Sequence, residues 1–145
     1  MKKLFGIFLY LSLSACAAQM LVSMDEMNAS NNAPPPFRAK SVAPKDAPVI
    51  ELSAPKLSTP VSSPTPIELK FQPTPPSAVK PETFKVLYGS FEIDITKRIL
   101  NVAKVTESGV FVQEANLPKG KHKLLMVVED TAGRRGNRSI DFEVK

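Results

Sequence analysis

Cysteine and histidine occur once each in this chain, and tryptophan does not occur. A single cysteine excludes a disulfide within the chain, so an exported domain of this size must be held by its apolar core alone. A single histidine, His122, has no second histidine and no free thiol to join it in a metal cluster or a catalytic triad. Asp94, Glu129 and Asp130 lack the dense oxygen-ligand spacing of a calcium loop. A strong excess of one charge is missing too. Of a formal +5, Lys2 and Lys3 belong to the extreme N-terminus, residues 16–65 balance, and residues 66–145 carry thirteen basic against ten acidic groups. That is far from the clustered basic footprint of a nucleic-acid binder. The sequence therefore predicts no catalytic residues, no metal site and no nucleic-acid partner.

Proline is abundant, but its placement is uneven. Thirteen of fourteen prolines fall between Pro34 and Pro81, and the last is Pro118. A segment with so many missing amide donors and fixed φ angles is poor material for a packed core. The expected organisation is a signal segment over residues 1–15, a disordered Pro-rich linker over 16–65, and one small domain over 66–145. About 80 residues suffice for one core, near the size at which stability becomes marginal.

Behind Lys2 and Lys3, residues 4–15 form a short apolar run with small residues at its end. This is the positive, apolar and small-residue order of a secretory signal. The run is shorter than the roughly 20 residues that cross a bilayer. It ends in Leu13-Ser14-Ala15-Cys16. That stretch resembles the lipobox of bacterial lipoprotein precursors: an aliphatic residue, two small residues and a cysteine. The resemblance implies cleavage between Ala15 and Cys16, and a covalent lipid on Cys16 as the only non-protein group. Several acyl chains anchor stably because each buried methylene contributes roughly 0.8 kcal/mol. Ala17 stands where that family uses aspartate for inner-membrane retention, which implies the outer membrane in a Gram-negative cell.

Residues 17–65 read as a semi-rigid spacer without repeating motifs. Extended at about 3.1 Å per residue, some 49 residues would reach on the order of 150 Å. Within it, Val49–Leu52 is an apolar island that could add a strand to the edge of a following sheet.

From Ile67 onward, short alternating runs separated by turn residues predict an all-β domain. Strands are expected at Ile67–Phe71, Thr83–Tyr88, Phe91–Ile95, Val110–Glu114, His122–Val128 and Ser139–Val144. Ile99–Val105 fits either a strand or a short helical turn. Ile140, Phe142 and Val144 share one face of an outer, half-buried strand. His122–Val128 is apolar on both faces, with Leu124, Met126 and Val128 opposite Leu125 and Val127, and so reads as central.

Leu117-Pro-Lys-Gly-Lys-His-Lys-Leu124, followed by Val127-Val-Glu-Asp-Thr-Ala-Gly133 and an alternating final strand, resembles the end of bacterial Ig-like and fibronectin-III-like domains. Arg134 stands where those families carry asparagine. The resemblance implies a single Ig-like β-sandwich of about seven strands, without the disulfide and tryptophan of antibody domains. It also places His122 at a strand start in a structural role. Asp130 is expected to accept backbone amides of its own turn.

Two candidate surfaces follow. The loop arginines Arg134, Arg135 and Arg138 could bind an anionic partner such as a cell-wall glycan, since guanidinium groups take carboxylates and phosphates bidentately. The outward residues Leu87, Leu125 and Val127 form an apolar surface if their strands are neighbours. The expected function is a membrane-anchored envelope module, structural or adhesive, that binds a protein partner; the alternative is a glycan-binding module.

Overall fold

A computed structural model describes residues 20–35 and 43–145. Among the described residues, eight strands form two antiparallel four-stranded sheets. In chain order the elements are α1 (Met24–Asn32), β1 (Val49–Ala54), β2 (Thr65–Gln72), β3 (Val79–Tyr88), β4 (Ile93–Asp94), α2 (Thr96–Leu100), β5 (Ala103–Thr106), β6 (Gly109–Ala115), β7 (Gly120–Asp130) and β8 (Arg135–Val144). One sheet has the order β1-β2-β6-β5 and the other β4-β3-β7-β8. That is the Ig arrangement of four strands facing a second sheet whose centre is the third and penultimate strands. The fold is an Ig-like β-sandwich, with one more strand than the sequence suggested.

The clearest sequence signals hold. β7 is central, paired with β3 on one side and β8 on the other, and its register with β8 runs unbroken from Gly120 opposite Val144 to Glu129 opposite Arg135. Its inward residues Leu124, Met126 and Val128 are buried. They meet Ile50, Leu69, Phe71, Val110 and Val112 of the facing sheet, and Phe71 and Phe84 pack with ring centres 5.7 Å apart. Each such side chain contributes about 1.5–3 kcal/mol on leaving water.

The region expected as a third strand differs. β4 keeps only Ile93 and Asp94, and Phe91 is 63% exposed in the preceding turn. Ile95 and Ile99 lie one helical turn apart, and burying both favours α2 over a continued strand. The ambiguous Ile99–Val105 stretch is thus divided between α2 and β5. The loop expected over Asp130–Asn137 is also shorter, because β8 already begins at Arg135.

The larger correction concerns the linker. The described parts of residues 16–65 are folded onto the sandwich. Val49–Leu52 lies within β1, which pairs with β2, and Ile50 is 2% exposed. Val61 forms a parallel bridge with Val144, its amide donating to the Glu143 carbonyl at 2.8 Å. Further upstream, Met20 bridges Asn116, and Leu21, Val22 and Met27 are buried in the same core as the strands. The physical reason is that proline does not prevent burial at edges and turns, where no ladder donor is needed.

Residues 20–35 form a strap across one end of the sandwich. α1 starts at a capping box: the Glu26 amide donates to Ser23 Oγ at 3.1 Å, and the Ser23 amide donates to Glu26 Oε2 at 2.8 Å. The box satisfies two of the helix's orphan amides. Farther along, Ser30 Oγ accepts from the Ser90 amide at 3.0 Å, and Ser90 Oγ donates to the Ser30 carbonyl at 3.0 Å. The approach is close enough that a Cβ at Gly89 would strike the Ser30 side chain. Gly89 also has φ +70°, so the turn beneath the strap requires glycine on both counts.

Candidate functional site

Leu13, Ser14, Ala15 and Cys16, and with them the whole signal segment, lie outside the described residues. The remaining candidates are all placed, and the structure separates them.

The three arginines do not converge on one anion site. Arg134 Nε donates to Asp130 Oδ2 at 2.8 Å, and its NH2 group donates to Ser77 Oγ at 2.9 Å. It staples the β7–β8 turn to the β2–β3 connection. Asp130 is fully buried, and its Oδ1 accepts the amides of Ala132 at 3.0 Å and Arg134 at 2.9 Å. This is the turn-closing role expected for Asp130. Burial raises the Asp130 pKa, but the Arg134 amide and guanidinium outweigh it and hold the carboxyl below its ordinary range. Arg138 NH1 donates to the Ile50 carbonyl at 3.1 Å, joining β8 to β1 across the two sheets. Arg135 is exposed, at the start of β8 opposite Glu129.

The apolar candidates do come together. β3 and β7 are neighbours, Leu87 stands directly opposite Leu125, and Val127 follows on the same outward face opposite Lys85. All three are half-buried while Leu124, Met126 and Val128 point into the core. Leu87 and Val127 line a shallow hollow of about 390 Å³ with Thr83, Lys85, Glu129 and Arg135. Arg135, exposed and without a place in the turn or the β1 contact, therefore borders the apolar surface.

His122 is 3% exposed and stacks on Phe142 with ring centres 5.4 Å apart. Its Nε2 lies 2.7 Å from the Pro118 carbonyl oxygen, and its Nδ1 lies 2.8 Å from Tyr88 Oη. A carbonyl only accepts, so Nε2 carries the proton and Nδ1 accepts from the tyrosine hydroxyl. Burial holds the imidazole pKa below its ordinary value, against a smaller opposing effect of the Pro118 carbonyl. Burial, helped by the nearby Glu26 charge, pushes the Tyr88 phenol up to about 12. The chain Tyr88–His122–Pro118 fixes the approach to β7, in keeping with a structural histidine.

Sequence reasoning missed the strap and the clasp that holds it. Arg98 of α2 forms a two-pronged pair with Glu26, at 2.7 Å to Oε1 and 2.8 Å to Oε2, and its NH1 also donates to the Leu21 carbonyl at 3.1 Å. The Arg98 contacts and the Ser23 amide hold the Glu26 carboxyl down to about 2. The Ser23-x-x-Glu26 spacing was the available signal. Among the described residues, no group of three or more His, Cys, Asp or Glu side chains is placed to hold a metal ion.

No protein-family model matches this chain. No curated protein matches it either. Among solved structures it is similar to the crystal structure of CopC from Methylosinus trichosporium OB3b. The two are 16% identical with a TM-score of 0.44, over 66% of this chain and 93% of the other. So distant a likeness transfers no activity and no ligand to this chain.

Proposed function

We propose that this protein is a non-enzymatic, lipid-anchored envelope module that binds a protein partner through the outer face of the β4-β3-β7-β8 sheet. Cys16 carries the anchor after cleavage behind Ala15, and the outer membrane is its location. The observation that supports partner binding is the Leu87–Leu125 pair with Val127 beside it, on adjacent strands and facing outward. An apolar centre bordered by Thr83, Lys85, Glu129 and Arg135 has the composition of a small interface: apolar core, polar rim.

The glycan-binding alternative now rests chiefly on Arg135, because Arg134 and Arg138 are engaged within the fold. Crosslinking in cells that express the full chain distinguishes the two. Leu125→Glu should abolish capture of the envelope partner while Arg135→Glu reduces it modestly. If Arg135→Glu instead releases the protein from isolated cell wall, and Leu125→Glu has no effect, the glycan reading replaces the protein-partner reading.

A further inference from the structure

The strap changes where an anchored domain must sit. Cys16 is four residues from Met20, and Met20 is already bridged to Asn116 of the β6–β7 connection. Four fully extended residues span about 14 Å. The reach between anchor and sandwich is therefore about a tenth of what a free 49-residue tether would allow. Seven residues, 36–42, lie outside the described chain between the strap and Ala43, but they follow the strap and cannot lengthen the link that precedes it.

Topology identifies the end that faces the anchor. Asn31 Nδ2 donates to the Lys121 carbonyl at the start of β7, and Ser30 binds Ser90 just beyond the end of β3. Asn116 lies just beyond the end of β6. The strap thus covers the end of the sandwich where β3 and β6 finish and β7 begins. The β2–β3, β5–β6 and β7–β8 connections lie at the opposite end. On the strap end, Met20 is 47% exposed, Met24 51% and Phe91 63%. Three large apolar side chains left in water, at the end nearest the anchor, fit the boundary between headgroups and acyl chains.

We infer that the strap seats the sandwich directly on a phospholipid surface, with Met20, Met24 and Phe91 in contact with lipid and the three opposite connections pointing away. This inference rests on the lipid-anchored reading of Cys16. The outer face with Leu87 and Leu125 then stands upright beside the bilayer, close to its surface and open to a partner in the same membrane.

Because the chain contains no tryptophan, single reporters can be placed in the full-length, processed protein. Phe91→Trp, Met24→Trp and, on β6 toward the opposite end, Phe111→Trp all replace exposed residues. Each variant is reconstituted into phosphatidylethanolamine–phosphatidylglycerol vesicles whose acyl chains are brominated near the headgroup. Reporters at 91 and 24 should shift to the blue and lose roughly half their emission, as expected for side chains buried about 5–10 Å into the boundary. The reporter at 111 should keep its emission. Mass spectrometry of the same samples reads the acyl chains on Cys16. Acylated, vesicle-bound protein whose three reporters respond alike overturns the seating but leaves the anchor standing. Cys16 without acyl chains overturns the anchor and the seating together.

Discussion

Replacing Glu26 by glutamine keeps the side chain's shape but removes the charge that fastens the strap to α2. Glu26 accepts three hydrogen bonds, two from Arg98 and one from the Ser23 amide, and glutamine can keep only one oxygen among them. Those contacts lower the carboxyl from its ordinary 4.5 to about 2. A depression of that size corresponds to about 3 kcal/mol of preference for the charged, folded form. Arg98 is 37% exposed and Glu26 20%, so solvent screening reduces the expected contribution to about 1–2 kcal/mol. Because the folded pKa is depressed, the contribution is complete above pH 4.5 and is lost as the pH falls through 2. Urea unfolding of wild type and Glu26→Gln at a series of pH values measures it. The variant should be less stable at pH 7, and the difference should shrink steadily below pH 4.5. Equal stability at pH 7, or a deficit that ignores pH, would refute the clasp.

Tyr88→Phe leaves His122 Nδ1 buried without its donor and should cost about 1–3 kcal/mol in urea unfolding; no loss would mean that the imidazole finds another partner. His122 itself, with its pKa held down by burial, should make the protein less stable as the pH falls below the 6.5 of an unfolded histidine, because the unfolded chain then binds more protons. Arg134→Glu should lower the unfolding midpoint sharply by setting a second carboxylate against the buried Asp130, whereas Arg135→Glu should leave it nearly unchanged; equal effects would return Arg134 to the surface. Met27→Ala removes a side chain that is 4% exposed and should cost about 2–5 kcal/mol, with hydrogen exchange of α1 rising more than that of β7.

The legibility of the fold in the sequence follows from how strongly each segment commits to a period. β8 alternates over many residues and β7 is a long apolar run, and their pairing leaves one register that puts Leu124, Met126, Val128, Ile140 and Val144 in the core. α2 was hidden because Phe91, Ile93 and Ile95 alternate like a strand, while the decisive pair, Ile95 and Ile99, is separated by a helical turn. β1 is only six residues long, and the prolines around it outweighed its Val49–Leu52 core in a reading by composition. The strap was hidden more deeply. Its helix carries aspartate, asparagine and alanine on the exposed side and buries only Met27 and Ser30, so it has no apolar stripe to betray it. Its stability comes from tertiary contacts of Leu21, Val22, Met27, Ser30 and Glu26, which no local pattern announces. For the candidate surfaces, alternation put Leu87, Leu125 and Val127 on outward faces, and the β3–β7 pairing made them neighbours. The arginine loop misled because sequence spacing cannot distinguish a solvated guanidinium from one that reaches back to a buried carboxylate four residues earlier.

Whether residues 20–35 belong to the domain decides the difference between a long tether and a short, seated anchor. Native-state hydrogen exchange of the full chain, read residue by residue over α1, tests this most directly. The Met27 amide, which donates to the Ser23 carbonyl at 3.1 Å, should exchange only when the helix opens and so be slowed by orders of magnitude relative to an unstructured peptide. Glu26→Gln should speed that exchange while β7 stays protected. Exchange of the Met27 amide at the rate of a free peptide, in protein whose β7 amides are protected, would contradict the docked strap.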